Sequence, residues 1–269
     1  MTQSDTRAAD GAGKLSSQLK SLVDRLRPDA RITVLTGAGV SAASGVPTFR
    51  GTDGLWKNFR PEVLASADAF GRDPSLVWEW YAWRRFRIST CEPNAAHRVL
   101  AEWSKRFPHF KLITQNVDGL HEKAASALAP AGHAQDEVIR LHGSLWEVSC
   151  WQGCRTSPKR WLDDTVNFAT LPPRCPYCGG VIRPGVVWFG ETLDTDVVMQ
   201  AMGATQCDVF MTIGTSAVVY PAAGFLERAK ANGAFTVEIN AEATPATRMV
   251  DLALPGGAEM VLPRLNADL

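Results

Sequence analysis

The 269-residue sequence predicts an α/β fold, a parallel sheet covered by helices on both faces with a small metal-binding module inserted into it. Three observations lead there. Short apolar, β-branched runs alternate with stretches of helical periodicity, as expected for parallel strands buried on both sides. The first of these runs opens directly into a glycine-rich turn. Late in the chain, two close cysteine pairs, Cys150/Cys154 and Cys175/Cys178, interrupt the rhythm with Pro and Gly around them.

The bulk numbers set limits. The chain is 45% hydrophobic, enough for one large core or for a main domain with an insert. Lys+Arg and Asp+Glu both total 28, so the formal net charge is zero. That argues against a non-specific nucleic-acid or membrane-surface binder. No apolar run reaches the roughly 20 residues a membrane helix needs. The first residues hold no hydrophobic stretch, so no export signal, a cytoplasmic location and reduced thiols are expected. Oligomeric state is left open.

The elements follow in order. Residues 1–14 are polar and Gly/Ala-rich and read as a tail. Over 16–27, Leu19, Leu22, Val23 and Leu26 recur at helical spacing. Residues 31–36 (RITVLT) read as a buried strand. They run into Gly37-Ala38-Gly39-Val40-Ser41-Ala42, which fits G-x-G-x-x-A, the turn of a Rossmann-like nucleotide-binding unit. The first glycine permits the tight turn, the second admits a pyrophosphate, and the following helix start offers N–H groups to phosphate. No strand ending in Asp or Glu follows about 20 residues later, so an ordinary nicotinamide dehydrogenase is excluded. Instead 45–54 reads as a long loop closing over bound nucleotide, with Phe49 and Arg50 at its tip. The alternative is a structural loop whose Phe plugs the core.

Further strands are expected at 111–114, 138–141, 209–213 and 235–239, and helices at 95–106 and 219–232. Polar residues at the ends of parallel strands face the ligand crevice. Gln115, Asn116 and Asp118 end one strand. Asn116 and Asp118 lie two apart and share a side, while Gln115 faces the other way. His142-Gly143-Ser144 ends another, and His142 is the best general-base candidate. Gly214, Thr215 and Ser216 offer N–H and hydroxyl groups to ribose or phosphate. Asn240 and Glu242 can supply the ribose contacts missing after the first strand.

The cysteines form C-x3-C and C-x2-C pairs with twenty residues between them. Four thiolates fill a tetrahedral zinc shell and leave no open position, so the metal is structural. Residues 145–182 are read as the zinc-binding module, with 15–144 and 183–269 forming the nucleotide-binding domain. Cys91 and Cys207 read as small core residues.

In this order, GAGVSAASGVPTFRG (37–51), TQNVDGLH (114–121), HGS (142–144), the cysteine pairs, VVWFGE (186–191), GTS (214–216) and INAE (239–242) resemble the sirtuins, the NAD-dependent protein lysine deacylases. The resemblance implies a Rossmann-like domain and a zinc ribbon, with NAD and acylated lysine side chains of proteins meeting between them. It implies that His142 is the catalytic base, with Asn116 near the nicotinamide ribose and Asp118 on the carboxamide. It places Gly37, Ala38, Gly39, Ser41, Thr48, Phe49, Arg50, Trp56, Gln115, Val117, Gly214, Thr215, Ser216, Asn240, Ala241, Glu242 and Ala258 around the cofactor. Val187, Trp188, Phe189, Gly190 and Glu191 are implied to pair with the substrate peptide as an added strand.

Tyr81 and Arg84, three apart and so on one helix face, resemble the sirtuin branch that removes succinyl, malonyl and glutaryl groups. A guanidinium and a phenol suit a carboxylate at the acyl end, not an apolar pocket. The alternative is a water-facing amphipathic helix. The implied reaction releases nicotinamide and yields O-acyl-ADP-ribose and free lysine. An ADP-ribosyltransferase and a non-catalytic NAD sensor are the competing readings.

Overall fold

The computed structural model describes residues 19–47, 61–128 and 138–269, without the side chains of residues 61 and 62. Six parallel strands form the main sheet: β1 (Ile32–Thr36), β2 (Phe110–Thr114), β3 (Ile139–Arg140), β7 (Val209–Ile213), β8 (Phe235–Asn240) and β9 (Leu252–Pro255). Their order is β3-β2-β1-β7-β8-β9. The strand order therefore reverses between β1 and β7, and the crevice of a doubly wound sheet opens at that point, outside the carboxyl ends. Register keeps those ends level, with Thr36 opposite both Thr114 and Ile213, and Ile213 opposite Ile239. The loops at 37–41, 115–118, 214–216 and 240–242 consequently leave the sheet at one height.

The five predicted strands all form, the one at 138–141 only as the two-residue β3. β9 was not anticipated. Its LALP run is too short to stand out from a helical stretch by pattern alone. Helix Ala95–Arg106 has the predicted bounds. The predicted helix at 219–232 instead begins at Ala222, after an exposed turn. Residues 19–23 are helical, and Leu22 and Leu26 plug the base of the sheet core.

Between β3 and β7 the chain builds a second, three-stranded antiparallel sheet, β5-β4-β6, from β4 (Gly143–Cys150), β5 (Trp161–Leu162) and β6 (Ile182–Val186). Its apolar side joins helices Ala67–Arg72 and Pro74–Ser89 in one cluster that holds Phe70, Trp78, Trp80, Tyr81 and Trp188. By packing, helix Pro74–Ser89 thus belongs with this small sheet, although in sequence it precedes β2. Arg85 is buried beneath it, paired with Asp163 at 2.8 Å and bonded to the Thr165 carbonyl. Among the described residues, no helix is long and apolar enough to cross a membrane.

Candidate active site

Two turns meet at the β1/β7 switch point. The Gly39 N–H donates to the Gly214 carbonyl at 2.8 Å, and the Gly37 N–H donates to that of Ile213 at 3.1 Å. A Cβ on Gly39 would lie 2.8 Å from Gly214 Cα, and one on Gly214 only 2.4 Å from the Val40 nitrogen. Here, then, the second glycine of the motif is required by the neighbouring strand's loop. This packing requirement adds to the expected approach of a pyrophosphate, and it is the one the fold itself imposes. The helix that follows is a single turn, Gly39–Ala42. The N–H groups of Val40 and Ser41 are also bonded to backbone carbonyls, so the expected free N–H groups are largely committed. Ala217, just past Gly214-Thr215-Ser216, takes φ 53, a strained value for a residue with a side chain.

Ser41 is the hub. Its buried hydroxyl donates to Asp118 Oδ2 at 2.7 Å and accepts from Asn116 Nδ2 at 3.2 Å. Asn116 also donates to the Gly37 carbonyl, at 3.1 Å. Gln115 turns the other way, to Thr215 Oγ1 at 2.9 Å. Val117 accepts the Leu145 N–H, tying this loop to β4. Asp118 Oδ1 accepts the Leu120 N–H, and its carbonyl takes the Trp146 indole N–H at 2.7 Å. Burial raises the Asp118 carboxyl above its usual range, against the opposing pull of Leu120, Ser41 and Arg84.

Two buried histidines, His97 and His121, stand behind this hub. The Asn94 N–H donates to His97 Nδ1. The ring proton of His97 therefore sits on Nε2, 3.4 Å from Ser41 Oγ. His121 packs beside it with ring centroids 4.8 Å apart, and its Nε2 lies 3.0 Å from Thr36 Oγ1. The sequence did carry one signal, Asn94 and His97 at N-cap and N3 spacing, which close a capping box. Burial holds both rings neutral, His97 at about 4.

His142 lies half-buried just past β3. Its Nδ1 is 2.9 Å from the Gln115 carbonyl, which can only accept. The proton thus belongs on Nδ1, and Nε2 keeps its lone pair for an incoming proton. Burial lowers its basicity, and the Gln115 carbonyl partly restores it.

At the far end of the crevice, Asn240 Nδ2 donates to the Thr215 carbonyl at 3.1 Å, and its Oδ1 accepts the Ala241 N–H. Ala258 opens the last helix and is buried; Ser216 is half-buried and Glu242 exposed. Thr48, Phe49, Arg50 and Trp56 lie outside the described residues.

On the small-sheet side, Val187, Trp188, Phe189 and Glu191 all spend their N–H groups internally, on His142 O, Glu191 Oε2, Ala65 O and Trp188 O. These four N–H groups are therefore not free to pair with the peptide strand that the resemblance implies. Tyr81 is fully enclosed, and burial pushes its phenol up to about 12. Arg84 is half-buried; burial lowers its pKa, while Tyr81 and Asp118, both within electrostatic range, raise it. The helix is not the water-facing alternative, since Val77, Trp78, Trp80, Tyr81, Arg85 and Ile88 are all buried.

The four cysteine Sγ atoms lie within 4.8 Å of one another. Cys150–Cys178 and Cys154–Cys175 are 3.7 and 3.9 Å apart. A tetrahedron with Zn–S bonds of about 2.3 Å has edges of about 3.8 Å, while a disulfide needs about 2.05 Å. The cluster therefore fits zinc and has no disulfide. Gly153 and Gly179, at φ 59 and 73, turn the two knuckles. Cys91 and Cys207 are buried elsewhere.

The Sir2 family profile matches residues 37–221. An NAD-dependent protein deacylase of Aquifex aeolicus is 48% identical over 222 residues, 82% of this chain and 87% of that protein. The crystal structure of a Sir2 homolog–NAD complex superposes with a TM-score of 0.81 at 42% identity, covering 92% of each chain. A Sir2 protein bound to acetylated peptide gives 0.77 at 27% identity, over 93% of this chain and 98% of that one. This chain belongs to the Sir2 family, the sirtuins.

Proposed function

We propose that this chain is an NAD-dependent protein lysine deacylase that favours acyl groups ending in a carboxylate, succinyl, malonyl and glutaryl among them. Its relatives named as deacylases, and the NAD complex of a similar structure, support the general activity. NAD supplies an electrophilic ribose carbon once nicotinamide departs. Asn116, Gln115 and Thr215 line the crevice where that ribose would lie. Asp118, fixed by Ser41 and Leu120, has the acceptor a carboxamide requires. His142, with Nε2 unprotonated, takes a proton from a ribose hydroxyl so that this oxygen can attack the acyl carbon. The cysteine cluster, four thiolates without an open position, carries no chemistry and shapes the small lobe. We read 145–182 as the metal-binding module within a nucleotide-binding domain of 15–144 and 183–269.

One observation carries the acyl preference. Tyr81 and Arg84 share a helix face inside an aromatic wall, with Arg84 in electrostatic range of Asp118. A phenol O–H and a guanidinium there match a terminal carboxylate, which an apolar acyl end would not use. The test is kcat/KM on acetyl-, malonyl-, succinyl- and glutaryl-lysine peptides with NAD, for the wild type and Arg84→Met. Arg84→Met should depress desuccinylation far more than deacetylation. Parallel losses rule out the carboxylate reader, and a peptide that gains ADP-ribose without losing its acyl group rules out the deacylase.

A further inference from the structure

Tyr81 does not stand alone in its wall. The Trp188 indole N–H donates to the Tyr81 hydroxyl oxygen at 2.9 Å, and each residue is only 2% exposed. An indole N–H can only donate, so the phenol oxygen must accept it. A phenol O–H lies near the ring plane and has two such orientations. The donor on one side leaves the other for the hydroxyl proton.

Trp188 is itself clamped. Arg183 lies over its ring at 3.6 Å and grips Glu191 with both terminal nitrogens, at 2.6 and 2.9 Å. Glu191 in turn accepts the Trp188 backbone N–H at 2.9 Å. The indole thus has little freedom to leave the phenol.

We propose that Trp188 is a positioning residue for acyl selection, its indole N–H holding the Tyr81 hydroxyl with its proton turned toward the acyl carboxylate. This rests on the reading of Tyr81 and Arg84 as the acyl reader. It gives the 187–191 segment a second task. Its backbone faces the peptide, and one of its side chains sets how the acyl end is read.

Trp188→Phe keeps most of the ring and removes the donor. The succinyl-to-acetyl ratio of kcat/KM should fall about fivefold, the worth of one ordinary hydrogen bond, mainly through KM. The Trp188→Phe/Tyr81→Phe double variant should lose no more of that ratio than Tyr81→Phe does. An unchanged ratio in Trp188→Phe, or additive losses in the double variant, overturns the proposal. If Arg84→Met also fails to alter the ratio, the acyl-reader reading falls with it. If Arg84→Met alters it and Trp188→Phe does not, only the role of Trp188 falls.

A second measurement does not depend on the Trp188 variant folding. With nine tryptophans, ¹⁵N-labelled protein shows at most nine indole N–H signals. The signal most displaced by Tyr81→Phe identifies Trp188. Without NAD, it should move on adding succinyl-lysine peptide and much less with acetyl-lysine peptide. Equal movement with both peptides overturns the proposal.

Discussion

The two largest apolar clusters among the described residues are built from different materials. The larger, against the main sheet, is filled by Ile, Val and Leu, with Trp103 and Phe107 as its buried large rings. The small lobe relies on Trp78, Trp80, Tyr81, Phe70 and Trp188, on the enclosed Arg85–Asp163 pair and on four cysteines. A three-stranded sheet buries too little apolar surface to hold itself, so large rings and a metal supply what area cannot. In the large lobe, the polar groups of the candidate site gather at strand ends. In the small lobe, polar and ionic groups sit inside the packing. Substitutions of similar chemistry should therefore damage rate in one lobe and folding in the other.

The sharpest break is at the metal. Cys175→Ser removes a ligand from a site that contributes about 10 kcal/mol or more. The small lobe should lose its fold, read as lost zinc by metal analysis and a collapsed near-ultraviolet circular dichroism signal. A folded, fully active variant contradicts a structural zinc. Next is His142→Ala. Turnover should fall about 10²–10⁴-fold, with NAD affinity by calorimetry and the melting temperature little altered. Normal turnover removes His142 from the chemistry.

Asp163→Ala should do the reverse. Arg85 is left charged and enclosed, a cost of about 3–5 kcal/mol, visible as a lower denaturation midpoint, while residual kcat per folded molecule stays near normal. A midpoint unchanged from wild type would show the pair to be dispensable.

The smallest effect separates the lobes by pH. His97 and His121 have folded pKa values below the ordinary 6.5, so the unfolded chain binds protons first as pH falls. Stability should decline from about pH 6.5 toward pH 4, by up to roughly 3 kcal/mol for His97. The carboxyls of Asp118 and Glu122, raised by burial, act with the opposite sign. His97→Gln should flatten the slope in urea titrations at several pH values. An unchanged slope rejects the assignment.

Much of the site could be read because each of its parts is local. Asn116 and Asp118 were recognisable as residues ending a strand. The cysteines were recognisable from spacing, since a knuckle of four or five residues needs no distant partner. The glycine turn was found too, but not its packing role. Gly39 faces Gly214, 175 positions away, and no local pattern records that meeting. The buried histidines escape local reading for the same cause, because His97 gains its meaning only where Ser41 arrives beside it.

Sequence alone thus settled five strands of the main sheet in their order, the zinc knuckles and the candidates at those strand ends. Hydrophobic period and turn chemistry act within a few residues and leave their mark in linear spacing. Which hydroxyl became the hub, which nitrogen of His142 keeps its lone pair and which indole holds Tyr81 came from the folded chain. Those assignments depend on donors and acceptors separated by 27 to 107 residues. Burial compels such groups to find one another, because an unmet polar atom in a dry core costs as much as a bond is worth.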